Sequence, residues 1–193
     1  HITKNEVFFQ AQESIFRYDL KSKKVETHYP DFSFHRSFLV KSTLYVRARE
    51  IGVQKFENGA LSTLPGTEIF QIYGLFGVFE LEDDSLLFVT QELGLWKWKD
   101  SAMRQLPEQN IVPLSELGIY GSVQLSEKTY ALNTFTNGIF VMDSKGKIIK
   151  HMDRSKGIRS NDVKSVFQDR DQNLWLSLGN GISKVNYYSP SVS

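Results

Sequence analysis

A five-fold repeat runs through the 193 residues of this chain and limits the folds open to it. A small residue followed by an aliphatic one recurs at Ser14-Ile15, Gly52-Val53, Gly94-Leu95, Gly138-Ile139 and Gly181-Ile182, at spacings of 38, 42, 44 and 43 residues. Other columns keep the register. Six residues before each small residue stand Phe8, Val46, Phe88, Leu132 and Trp175, all apolar. Four residues after it stand Tyr18, Phe56, Trp98, Met142 and Val185, again all apolar. Three after it come Arg17, Lys55, Lys97, Val141 and Lys184, basic in four of five. A period of this length marks an array of units that bury their apolar faces on one another.

Within a unit the pattern is that of short strands. Val163 to Phe167, Leu174 to Leu176 and Ile182 to Asn186 are separated by Asp169 to Asn173 and by Gly179-Asn180-Gly181. β-prone runs punctuated by Gly, Asn and Asp read as consecutive hairpins. Fourth strands are expected at Lys24 to Tyr29, Ala60 to Leu64, Met103 to Leu106 and Lys147 to His151, and helix is expected only as a turn or two around Pro113 to Leu117. Four strands in about 40–45 residues make a propeller blade. The fold class is therefore all-β, a β-propeller of about five four-stranded blades. The repeats run approximately over 1–30, 31–66, 67–108, 109–152 and 153–193 of a single domain. With strands lettered a to d from the axis outward, the chain enters at strand b and leaves after strand c, with Tyr187 to Ser193 a poor candidate for a last d. A small ring of five and an arc of a larger ring both fit.

Composition narrows the function classes. Lys+Arg is 23 against Asp+Glu 22, a net charge of +1, which argues against a nucleic-acid partner. Cysteine is absent, so disulfides, thiolate chemistry and Cys-ligated zinc are excluded. No stretch approaches the roughly 18 apolar residues of a spanning helix. The start at His1, without Met or a basic-then-apolar leader, reads as that of a processed or excised piece.

Gly157-Ile158-Arg159-Ser160-Asn161-Asp162-Val163, Gln172-Asn173-Leu174-Trp175-Leu176-Ser177 and Asn180-Gly181-Ile182 together resemble the two-component regulator propeller repeat. The last unit matches nearly throughout, departing at Gln172 and Leu178, the Gly94 and Gly138 units match in part, and the first two keep only spacing and apolar columns. The resemblance implies the extracytoplasmic sensor region of a bacterial histidine kinase or hybrid regulator, periplasmic or extracellular, in a membrane-anchored parent that a dimer would suit. It implies a ligand, with carbohydrate one candidate, or a protein partner, and transfers no catalytic residue and no cofactor. A protein-binding scaffold and a propeller lyase or hydrolase are the alternatives.

The residues themselves offer weak sites. Asp169 to Asn173 opens like a calcium loop, but Leu174 and Asn180 stand where an EF-hand needs Gly and Glu, so a polar hairpin turn is expected. His28 and His35 flank one inter-blade loop and read as surface histidines rather than metal ligands. The basic column Arg17, Lys55, Lys97 and Lys184 could ring a rim for an anion; the plainer expectation is stems packed between blades with snorkelling charges. Trp96, Trp98 and Trp175 are expected as inter-blade packing rather than sugar platforms, with Trp175 buried between the last two blades. No Gly-x-Ser-x-Gly elbow supports a hydrolase. The connections from d to the next a are long: Thr27 to Phe34, Pro65 to Gly74, Pro107 to Gly118 and Met152 to Asp162. Recognition is therefore expected on the rim they share with the b–c turns, which carry Arg49, Glu92, Thr136 and Asn180.

Overall fold

Alternating apolar and polar residues, closed by tight turns, give eighteen strands in the computed structural model of the chain, which describes residues 1–126 and 128–186. They form five antiparallel sheets. The first holds β1 (Glu6–Gln10), β2 (Ile15–Asp19) and β3 (Val25–His28); the second β4 (Phe34–Val40), β5 (Thr43–Ala48), β6 (Gly52–Glu57) and β7 (Ala60–Thr63). The third holds β8 (Leu75–Glu80), β9 (Leu86–Thr90), β10 (Leu95–Lys99) and β11 (Ala102–Gln105). β12 (Ile119–Ser126), β13 (Thr129–Thr134), β14 (Ile139–Asp143) and β15 (Ile148–Met152) make the fourth, and β16 (Val163–Gln168), β17 (Leu174–Leu178) and β18 (Gly181–Val185) the fifth.

Each sheet is a blade of a five-blade β-propeller. Strands β4, β8, β12 and β16 touch in succession and are the axial a strands. Among the described residues the first blade shows strands b to d and the fifth strands a to c; Tyr187 to Ser193 lie outside the described residues. The repeated small-aliphatic pairs fall where each c strand begins. Gly138 shows why a small residue is needed: its φ is +78°, and a Cβ there would stand 2.3 Å from the Met152 carbonyl oxygen. Among the described residues helix amounts to three single 3-10 turns, at Leu114–Glu116 as expected and, beyond expectation, at Glu68–Gln71 and Arg154–Lys156. All three lie in the long d–a connections, where a turn satisfies backbone groups that no strand can reach.

Four apolar layers lie between the blades. Phe8, Ile15, Leu44 and Phe56 fill the first, Val53, Phe70, Leu75 and Phe88 the second, Leu87, Leu95, Leu132 and Met142 the third, and Ile139, Val163, Leu174 and Leu176 the fourth. Burying one such side chain is worth roughly 1.5–3 kcal/mol.

Two expectations fail. Trp175 is 40% exposed, not buried between blades four and five. The β17–β18 turn is only Gly179-Asn180, with Leu178 opposite Gly181, whereas β13–β14 spans Thr134 to Gly138, with Asn133 opposite Ile139. That difference slips the b strand by one residue against the repeat column, which moves a side chain to the other face. Trp175 thus joins Phe167 and Lys184 on the outward face, while Leu174 and Leu176 take the buried one. His28 and His35 are not loop residues either: they lie in β3 and β4, half-buried, with their rings edge-on to Phe56 (4.8 Å) and Phe76 (5.6 Å) of the following blades.

Candidate functional site: the bulged mouth of the axial strands

Every axial strand carries an irregularity at the same place. The a–b ladders slip between Phe34 and Arg36, Leu75 and Gly77, Ile119 and Gly121, and Val163 and Ser165. The residues left over are His35, Phe76, Tyr120 and Lys164. Such bulges re-aim side chains and are over-represented beside functional sites. Here they gather at the end of the axis shared by the b–c turns and d–a connections.

Side chains from neighbouring strands hold the bulges open. Ser122 donates to the Phe76 carbonyl (2.8 Å), Arg36 Nη1 to the Tyr120 carbonyl (2.8 Å), and Asn133 Nδ2 to the Val163 and Lys164 carbonyls (2.8 and 3.3 Å). The residue after a bulge must be small where a neighbouring strand crowds in. A Cβ on Gly77 would meet Ser122 Oγ at 2.1 Å, and one on Gly121 would meet Asn133 Oδ1 at 2.7 Å.

The result is an arc of rings and cations. The Arg36 guanidinium lies 4.7 Å from the Phe76 ring centre and 4.9 Å from that of Tyr120. Tyr120 packs on Phe135 at 4.2 Å, and Lys164 Nζ stands 5.6 Å from the Phe135 ring. Arg36 thereby links blades two, three and four.

Arginines cluster at this mouth around His35. Arg36 is the direct cross-strand partner of Arg47, a pairing that costs stability in an isolated ladder. Arg47, 4% exposed, is held by donating Nε to the Phe70 carbonyl (2.8 Å) and Nη2 to those of Gln71 (2.9 Å) and Ile72 (3.1 Å). Burial, with Arg47, Arg36 and Arg49 nearby, pushes the His35 pKa down to about 4, so the ring is neutral at physiological pH.

The opposite end of the axis differs. A hollow of about 450 Å³ there is lined by Val40, Lys41, Glu80, Glu82, Asp84 and Gln124 among others. Two of its three carboxylates have basic partners: Glu80 with Lys41 (2.8 Å) and Glu82 with Lys128 (2.8 Å). Among the described residues Arg36, Arg47 and Arg49 have no carboxylate within 4 Å. Arg36 and Arg47 are half-buried and buried, unlike exposed basic residues without such a partner, for example Lys21 and Arg104.

The residues singled out from sequence are distributed as follows. Arg49, Glu92, Thr136 and Asn180 lie exposed, one in each of the b–c connections of blades two to five; of these, only Arg49 acts on the His35 surroundings. The basic column is already engaged: Arg17 with Glu6 and Glu26, Lys55 with Glu57, Lys97 with Asp83, and Lys184 over the Trp175 ring at 5.3 Å. Asp169 Oδ1 accepts from the backbone N–H groups of Asp171 and Asn173, and Oδ2 accepts from Trp175 Nε1 (2.8 Å), which makes a self-closed turn. Among the described residues no group of three or more His, Asp or Glu could hold a metal, and no helix is long and apolar enough to cross a membrane. Of the bulge residues only His35 was singled out in sequence, and as a surface histidine; the bulges themselves escaped sequence reading. Their one signal is a His, Lys or ring residue second in each axial strand, followed by Gly or Ser in three of four.

No family model matches the chain, and no curated protein matches it. Solved structures do. The extracellular domain of BT4673 from B. thetaiotaomicron, designated a hybrid two component system, superposes with a TM-score of 0.69 at 17% identity. The corresponding domain of BT3049 from that organism gives 0.65 at 16%, and a streptogramin B lyase 0.67 at 14%. The chain is covered to 97%, 97% and 98%, while it spans 27%, 26% and 67% of those chains. It is thus about a quarter of the length of the two extracellular domains. At these identities the likeness establishes the propeller fold alone.

Proposed function

We propose that this chain is the ligand-recognising propeller of an extracytoplasmic sensor, binding at the bulged axial mouth and passing occupancy to an output region elsewhere in its polypeptide. The observation that carries this is the set of four equivalent bulges, each aiming a ring or cation at one end of the axis, three of them with a carbonyl fixed by a side chain from another strand. Preorganised polar groups beside aromatic faces are what a small-molecule site needs. The likeness to extracellular domains designated two component systems supports a sensing role. The lyase likeness favours catalysis less, because the mouth offers stacking and hydrogen-bond donors in place of an acid–base pair.

The test is a signalling reporter driven by the full parent protein. Arg36→Gln with Phe135→Ala is expected to abolish the response while circular dichroism stays all-β. Glu82→Gln with Asp84→Asn, at the opposite end, is expected to leave it intact. The reverse pattern refutes the assignment.

A further inference from the structure

We infer that the bulged mouth takes a ligand that carries a carboxylate on a ring, the anion held by Arg36 and Arg49 and the ring face by Phe135. This rests on the placement of the recognition site proposed above and names the chemistry that fits it.

Three features lead to that class. First, two of the arginines are unmatched and at least half-buried. Among the described residues Arg36, Arg47 and Arg49 have no carboxylate within 4 Å; other basic side chains without one, such as Lys21 and Arg104, are exposed, whereas Arg36 is half-buried and Arg47 buried. A propeller with net charge +1 has enough acid to neutralise them, yet sets Arg36 against Arg47 in one ladder. Local choices that oppose stability are expected at functional sites.

Second, donors remain available. A guanidinium has five N–H groups in a fixed fork that matches a carboxylate. Arg36 uses one, toward the Tyr120 carbonyl. Its guanidinium carbon lies 4.7 Å and 4.9 Å from the Phe76 and Tyr120 ring centres, so less freedom remains to be lost when an anion docks. Arg49 is exposed at the β5–β6 turn, and its side chain has no hydrogen-bond partner among the described residues. Arg47, fixed beneath by three carbonyls, adds positive potential without being a ligand itself.

Third, a partly exposed ring continues the arc from Tyr120. Phe135 is 37% exposed, packs on Tyr120 and carries the Lys164 ammonium 5.6 Å from its centre. Lys164 is neutralised by Asp162 at 3.0 Å, so it contributes shape more than charge. A flat ring stacked on Phe135 would point its substituent along the arc toward Arg36.

The experiment is a nitrogen–proton NMR titration of the isotope-labelled chain with five probes: benzoate, glucuronate, benzyl alcohol, glucose and acetate. Benzoate or glucuronate is expected to shift the Arg36 and Arg49 Nε–H signals and the Phe135 amide saturably. The neutral ring of the same shape, and acetate, should bind about tenfold more weakly. Whether benzoate or glucuronate is the tighter decides between an aromatic and a sugar ring. Arg49→Gln, at an exposed position, should lose several-fold in affinity with an unchanged spectrum elsewhere, which guards against misfolding in Arg36→Gln. If benzyl alcohol or glucose binds the mouth as tightly as the acids, the anionic class is wrong and the site stands. If none of the five shifts the mouth, or if shifts scatter over all cations alike, the site falls with it.

Discussion

Replacing Arg47 by Met tests how the mouth is built. The substitution keeps an apolar stem in a buried position and removes three N–H donors, leaving the Phe70 and Ile72 carbonyls without the guanidinium. The Gln71 carbonyl retains a 3.3 Å bond from the Glu50 amide. The buried Phe70 carbonyl stripped of its partner costs about 1–3 kcal/mol, while the Ile72 carbonyl belongs to a residue 79% exposed and regains water. Relief of the Arg36–Arg47 opposition returns up to about 1 kcal/mol. The net expectation is a loss of roughly 1–2 kcal/mol. With a urea m-value of about 2–3 kcal/mol/M for a chain of this size, the midpoint falls by about 0.5 M. A second readout is independent of stability. After burial, Arg47 is the charge that lowers His35 most, so in the Met variant the His35 titration, followed by NMR, moves up. Arg47→Lys keeps the charge and loses the fork: stability should fall while His35 stays low. A Met variant with an unchanged midpoint and an unchanged His35 titration would refute this account of the mouth.

Two further outcomes follow from the same geometry. Because the folded His35 pKa, about 4, lies below its ordinary 6.5, the unfolded chain binds a proton that the folded chain refuses; stability present above pH 6.5 is lost as pH falls toward 4, by at most about 1.4 kcal/mol per unit, and His35→Phe should flatten that slope in denaturation curves. Trp175→Ala should cost about 1–2 kcal/mol rather than a core value, since the ring is 40% exposed and contributes one bond to Asp169; a loss above about 4 kcal/mol by urea denaturation would contradict the outward placement.

The fold was legible because spacing is a one-dimensional signal. Each small-aliphatic pair marks the entry to a c strand, and in blades one to four its aliphatic residue and the apolar residue six before the small one are buried. What spacing could not convey was the face. Trp175 shares a column with Phe88 and Leu132, but a shorter turn reverses its side, and turn length is not fixed by the residues that flank it. The site was hidden for a related reason. The opposition of Arg36 to Arg47 exists only once the bulge at His35 sets the register, and a bulge is a property of two strands. The basic column is prominent in sequence, yet it meets carboxylates carried by other strands, such as Asp83 beside Lys97.

Where the mouth sits along the stack also has a physical consequence. In a repeat array each unit gains stability from its neighbours, so a unit packed on both faces is held more firmly than one packed on a single face. Blades two, three and four have apolar layers on both sides. Blade one turns Phe9, Phe16 and Val25 outward, at 60%, 39% and 61% exposure, and blade five turns Phe167 and Ile182 outward, at 65% each. Arg36, Phe76, Tyr120 and Phe135 all belong to the three inner blades. A binding arc needs donors and rings fixed to within about half an ångström, and the inner blades provide that rigidity. Lys164 reaches in from blade five, and Asn133 of blade four grips the carbonyls of its bulge. The arc is thus centred on the best-packed part of the chain, with one cation at its margin tied back to the interior.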